Sequence, residues 1–211
     1  MSAGGPEKQE NGSAPEELPR YLGGYFLISE FDLADPNFHR TVVLLIAHDA
    51  EGAFGLVVNR PSRFALGEVI EGVEDSPAAS IPVYVGGPVQ QNALFVMHES
   101  PDGGVATAGV KHPLQGVTFE PATTALLDYL KGEWAALPKG ERPAVRMYVG
   151  YSGWGAGQLE GELKASSWVV LKASRQVVFD PDPQAVWEQA FARKGPLYQI
   201  ILQTGFKPSL N

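Results

Sequence analysis

The sequence predicts a single α+β domain built on a mixed, largely antiparallel sheet. Segments with strand character outnumber helical ones by roughly two to one, neighbouring strands are linked at hairpin distance by turn-forming residues, and the regular strand–helix alternation of a doubly wound fold is missing. The chain has 211 residues, 44% hydrophobic and 19% charged, which is enough apolar material for one sizeable core. No internal repeat and no interior linker divides it, so the domain is assigned to residues 21–211.

Residues 1–20 are dominated by Gly, Pro, Ser and Glu and carry no apolar period, so they are expected to be a disordered tail. The first strand is predicted over Gly24 to Ser29. Thr41 to His48 is a β-branched apolar run, the pattern of a strand buried on both faces. Asp49 to Gly52 supplies turn chemistry, and Phe54 to Val58 returns as the second arm of a hairpin. Asn59-Arg60-Pro61 stops that arm, because proline cannot continue a ladder. A short helix fits Phe64 to Glu71, with Leu66, Val69 and Ile70 on one face and Gly72 at its end.

Val83 to Val85 is a short strand closed by Gly86-Gly87-Pro88, and Ala93 to Met97 is another. Glu99 to Gly116 is rich in Gly and Pro and reads as loop with a short strand near Val105. Glu120 to Lys131 has a helical stripe of Leu126, Leu127 and Leu130, with Pro121 in the first turn and Gly132 at the end. Ala144 to Val149 is a strand, Gln158 to Ala165 a short helix, and Ser167 to Leu171 and Gln176 to Phe179 are strands. The clearest helix begins at Asp182, a good cap before Pro183. It carries Val186, Trp187, Ala190 and Phe191 as a stripe and ends at Gly195-Pro196.

Composition excludes several functions. With no cysteine there is no disulfide, thiolate zinc site or cysteine nucleophile, which fits a reducing, cytoplasmic setting. The net charge of −8 and the lack of any Lys/Arg run disfavour direct nucleic-acid binding, which draws its affinity from contacts to phosphate. The longest apolar run, Val42 to Ala47, is far below the ~20 residues a membrane span needs, and no stretch reads as a signal peptide, so a soluble protein is expected.

Three segments carry a resemblance. They are Gly24 to Pro61, with Asp35-Pro36-Asn37-Phe38, Gly52-Ala53-Phe54-Gly55 and Asn59-Arg60-Pro61 at its core; Val83 to His98; and Tyr148 to Trp168. In this order they resemble the YqgE/AlgH family of bacterial proteins. The resemblance implies a bifurcated sheet with a small barrel-like core surrounded by helices. It implies no enzymatic activity, and the label of transcriptional regulator that some members carry. Where the family usually has Ala and Pro, this chain has Ser152 and Ala156, and its last residues, Lys207 to Asn211, match only some members.

No catalytic set, metal site or cofactor is assigned. Ser152 follows a strand, but a nucleophile elbow needs glycine where Trp154 stands. His39, His48, His98 and His112 show no metal-binding spacing; His98, at a strand end, is kept as a cleft candidate. Gly155, Gly157 and Gln158 open a helix whose main-chain N–H groups can attract an anion, although the spacing is not that of a nucleotide loop. Gly86 and Gly87 admit either a turn or a ligand. Asn59 and Arg60 end a strand, and the guanidinium can fork onto a carboxylate or phosphate; otherwise it pairs with one of the 24 acidic residues. The expected function is a non-enzymatic regulatory or adaptor role through an unknown protein partner or a small anionic ligand. The alternative is a small-molecule or nucleotide-binding enzyme that uses the glycine loops and Arg60.

Overall fold

The computed structural model describes residues 17–100 and 109–207. Strands β1 (Tyr25–Ser29), β2 (Val42–Asp49) and β3 (Gly52–Val57) form an antiparallel meander, with β10 (Trp168–Lys172) added outside β1. Strand β9 (Val145–Gly155) lies beside β3. Beyond it come β6 (Val89–Glu99), β8 (Val117–Pro121) and β7 (Lys111–Leu114). A side branch is made by β4 (Pro61–Ala65) and β5 (Pro82–Val85), and β5 runs parallel to β9.

The branch point explains the bifurcation that the resemblance implied. One edge of β9 pairs with β6 along its length. Its other edge is shared: Met147 to Val149 pair with β5, and Ser152 to Gly155 pair with β3. Between these halves Gly150 adopts φ +68°, and a side chain there would put its Cβ 2.6 Å from the Gly87 carbonyl oxygen. Gly87 is equally enclosed, since a Cβ would fall 2.2 Å from the Tyr151 main chain. Only glycine fits both positions. The joint is closed by Gly86, whose N–H donates to Val149 O while its carbonyl accepts from Val57 N–H and the Ser152 hydroxyl.

The curved inner face encloses one core, drawn from Phe26, Leu44, Leu56, Met97, Phe119 and Tyr148 among others. The sheet nevertheless does not close into a barrel, because no ladder joins β7 to β10. At four residues, β7 meets the start of β1 by packing alone, with Pro113 O in the space a side chain at Gly24 would need. Helices α3 (Arg175–Val178) and α4 (Val186–Ala192) complete this core with Val178, Trp187 and Phe191, and the Trp187 indole donates to Ser29 O at 2.9 Å. Helix α2 (Gln158–Lys164) covers the outer face with Leu159 over Leu27, Val43, Leu45 and Val57. A third cluster lies between β5, β6 and β9 and helix α1 (Thr124–Tyr129), which runs into a π-helical turn over Leu130–Trp134. Strand β2 is buried on both faces as its composition predicts, sending Val42 and Leu44 inward and Val43 and Leu45 outward.

Several boundaries differ from the sequence expectation. The helix expected at Phe64 is strand β4 followed by one 3-10 turn over Leu66–Glu68; Leu66 and Ile70 pack into the third cluster but Val69 is exposed. Pro121 does not start a helix but ends β8 opposite Phe95, and α1 begins after Thr123, whose hydroxyl accepts from Leu126 N–H. The strand expected at Gln176 is α3, and the carboxylate of Asp182 caps a turn before α4. Helix α5 (Pro196–Thr204) lies beyond the last element the sequence predicts. The strand expected near Val105 falls outside the described residues.

One buried cation ties these layers together. Arg146, on β9, is 6% exposed. Its Nη1 donates to Val58 O and Val178 O, its Nη2 donates to Asp180 O, and the guanidinium lies 4.5 Å over the Tyr84 ring. Beside it the Tyr148 hydroxyl is fully enclosed and makes no hydrogen bond. Burial pushes this hydroxyl above the usual tyrosine range, and the nearby Arg146 charge opposes the shift. Removing the guanidinium strands three carbonyls, so Arg146→Met should cost about 3 kcal/mol or more in urea unfolding. Tyr148→Phe deletes an unsatisfied group and should change stability by less than about 1 kcal/mol, or raise it. A larger loss in Tyr148→Phe would show that the hydroxyl is bound.

Candidate functional site

Three segments distant in sequence meet at one cleft. The first is the loop between β1 and β2, where the Asp35 Oδ1 accepts from Asn37 N–H at 2.8 Å and the Phe38 N–H donates to Asp35 O. This Asx turn aims Phe38 at the second and third segments, the end of β9 and the start of β10. The Phe38 ring stacks on Trp154 at 6.0 Å and meets Trp168 edge-on at 5.3 Å. Beside these rings is a cavity of about 280 Å³, bordered also by Leu33, Asp35, Gln158, Glu162 and Ser167.

A single carboxylate organises the wall. Glu162 lies one turn after Gln158 on α2, so the two side chains share a helix face. Glu162 Oε2 accepts from both indoles, at 2.9 Å from Trp154 Nε1 and 2.7 Å from Trp168 Nε1. Its Oε1 accepts from Gln158 Nε2 at 3.1 Å, and Gln158 Oε1 accepts from Gly155 N–H at 3.1 Å. Gly157 begins the helix at φ +74°. A Cβ at Gly155 or Gly157 would meet nothing within 4 Å, so this turn faces open space.

The residues singled out in the sequence have separate fates. Gly155 and Gln158 belong to the frame of the cleft, and Gly157 starts its helix. Asn59 and Arg60 brace the cleft from behind. Asn59 Oδ1 accepts from Val42 N–H, its Nδ2 donates to Arg40 O, and Arg60 Nη1 donates to Asn37 O at 2.8 Å. Gly86 and Gly87 lie at the sheet junction, facing main chain. His98 pairs with Val145 at the other end of β9, where its Nδ1 is 3.0 Å from Glu99 O and its Nε2 3.0 Å from Glu120 Oε1. Ser152 is fully buried with its hydroxyl on Gly86 O. Among the described residues no group of His, Asp and Glu could hold a metal ion. Glu162 was missed by sequence reasoning. Its signal was the four-residue spacing Trp154, Gln158, Glu162, which returns a helical carboxylate toward the strand end.

The AlgH-like family model matches residues 26–199. The chain belongs to this family. It is 40% identical over 195 residues to a UPF0301 protein of Stutzerimonas stutzeri, covering 89% of this chain and 96% of that one. A UPF0301 protein of Chlorobium limicola is 33% identical over 195 residues, covering 92% and 98%. The solution structure of the AlgH protein from Pseudomonas aeruginosa superposes with a TM-score of 0.67 at 34% identity, covering 93% of this chain and 100% of that one. Two of the segments that resemble this AlgH-like family, Gly24 to Pro61 and Tyr148 to Trp168, contain the residues that line the cleft. Among the described residues, no helix is long and apolar enough to cross a membrane.

The other side of α2 is anchored through a histidine. The ring of His48 is almost wholly buried; its Nδ1 accepts from Leu22 N–H at 3.0 Å and its Nε2 meets Glu160 Oε1 at 3.2 Å. A hydrogen bond from main-chain N–H, reinforced by His48, holds the Glu160 carboxyl below its ordinary value of 4.5. Ionised Glu160 therefore contributes stability above that ordinary value, and the contribution disappears as pH falls through the lowered one. The stability gap between wild type and Glu160→Gln should be greatest near neutrality and shrink toward zero in acid, as read from urea midpoints across that range. Glu162→Ala, which leaves two buried indole N–H groups without an acceptor, should cost about 2–3 kcal/mol or more and displace both indole resonances in NMR spectra.

Proposed function

We propose that this AlgH-like protein is a non-enzymatic regulatory or adaptor protein, and that it works by seating a small ligand or a segment of a partner protein in the cleft beside Phe38, Trp154 and Trp168. The observation that carries this is the organisation of the wall. Each of its polar side chains on α2 is already spent on holding its neighbours, which suits a rigid receptor and leaves no nucleophile–base pair of the kind acyl or phosphoryl transfer requires. Ser152, the one hydroxyl in a nucleophile-like setting, is sealed in the sheet junction.

Any effect on transcription is, in this proposal, indirect. The net charge of −8 and the carboxylates of Asp35 and Glu162 at the cleft oppose contact with a phosphate backbone. The lack of cysteine supports a cytoplasmic site of action.

Ser167 borders the cavity, so Ser167→Trp would fill it without removing a member of the Glu162 network. Wild-type protein purified gently from its own host should show a mass excess in native mass spectrometry that vanishes on denaturation. The Ser167→Trp protein should be folded and lack that excess. A bare mass for wild type, or the same excess in both proteins, would refute the cleft as the working site.

A further inference from the structure

We propose that the group this cleft takes is an arginine side chain of a partner protein, an inference that rests on the cleft being a binding site. Size argues first. A cavity of about 280 Å³ falls at or below the lower end of the ~300–1,000 Å³ that small-molecule and cofactor sites occupy, so it suits one side chain better than a whole cofactor.

Charge argues second. Among the described residues, the charged groups at the cavity are both carboxylates, Asp35 and Glu162, and no cation borders it. Glu162 is half-buried and is stabilised by three neutral N–H donors. A carboxylate offers about four lone-pair positions, so one acceptor position of Glu162 remains. Asp35 uses Oδ1 on the Asn37 N–H and has its second oxygen free among the described residues. An anion entering here would meet the half-buried charge of Glu162 and the exposed charge of Asp35, whereas a cation would neutralise them.

Shape argues third. The wall sets the half-buried Phe38 ring beside carboxylates, and the guanidinium is the biological cation that meets both at once: its plane stacks on an aromatic face and its edge forks onto carboxylate oxygens. The Trp154 and Trp168 indoles are buried with their N–H groups on Glu162, so no indole donor competes and the half-buried Phe38 ring supplies the open aromatic surface. An ammonium would satisfy the charge but forgo the stacking and the fork.

The test uses full-length ¹⁵N-labelled protein and follows the indole N–H signals of Trp154 and Trp168. The probes are an acetylated, amidated glycyl-arginyl-glycine peptide, the matched citrulline and lysine peptides, and inorganic phosphate. The arginine peptide should move both indole signals saturably, with the citrulline peptide at least about tenfold weaker, the ratio equivalent to 1.4 kcal/mol. Asp35→Asn, which retains the Oδ1 acceptor for Asn37, should weaken the arginine peptide by a similar factor and leave the rest of the spectrum unchanged. Equal binding of the citrulline peptide, or indole shifts with phosphate and none with arginine, would overturn the inference while leaving a binding cleft. Silence toward every probe, with a native mass excess that Ser167→Trp abolishes, would do the same. Silence together with no such excess would remove both the arginine and the cleft.

Discussion

The structure depends on one strand having two neighbours along one edge. Up to Val149, β9 is paired with β5; from Ser152 onward it is paired with β3. The exchange takes place within a few residues, and it is possible because Gly150 turns through a left-handed conformation against Gly87 at a distance no side chain tolerates. The consequence reaches the cleft. Beyond the junction the strand keeps its alternation, so Ser152 lies in the sheet and Trp154 joins the outer cluster with Trp168. The turn at Gly155 to Gly157 then reverses the chain into α2, and Glu162 reaches back to the indole the strand has just delivered.

Two charges taken out of water mark the load of this design, and each is held by neutral groups of opposite polarity. Arg146 is surrounded by carbonyl oxygens from the end of β3 and the turn after α3. Glu162 is surrounded by N–H donors from two indoles and an amide. Hydrogen bonds to an ionised group are stronger than those between neutral partners, so both charges can be kept without an ion pair. They differ in setting. Arg146 is packed between aromatic rings in the interior, a structural tie between sheet and helices. Glu162 is half-buried beside an open cavity, where its charge can still be felt by something that enters.

How much of this was legible in the sequence follows from the range of each interaction. Strand β2 was legible because its six apolar residues, Val42 to Ala47, admit one environment. The bend after β9 was legible as a glycine-rich turn, and α2 followed it as expected. The reach of β9 past Val149 was not, because Gly-Tyr-Ser-Gly reads locally as a turn and becomes strand only when β3 supplies its partner. Pro121 misled for the same reason: a proline before a leucine stripe reads as a helix start, but β6 recruits it as the end of an edge pairing. Helix α5 carries no charge from Pro196 to Thr204 and leaves Leu197 and Ile200 exposed beside Gln199 and Gln203, so its apolar residues form no single clean stripe. At the cleft, Gly155, Gly157 and Gln158 were found from local turn chemistry, whereas the link from Arg60 to Asn37 spans 23 residues and the link from Glu162 to Trp168 depends on how a helix returns to a strand.

The cleft is held in place by hydrogen bonds before anything occupies it, and the proposed role in recognition rests on that property. Its loop is fixed by an Asx turn and by Arg60, its floor by strand pairing, and its wall by the Glu162 network. A receptor already ordered spends little conformational entropy on binding, so a single well-seated side chain can contribute measurably to affinity. The same rigidity works against catalysis at this place. A general base needs a free lone pair directed at a proton of the substrate, and Glu162 has committed most of its own to the indoles. What such a carboxylate retains is its charge, and in the proposed role that charge selects what enters the cleft.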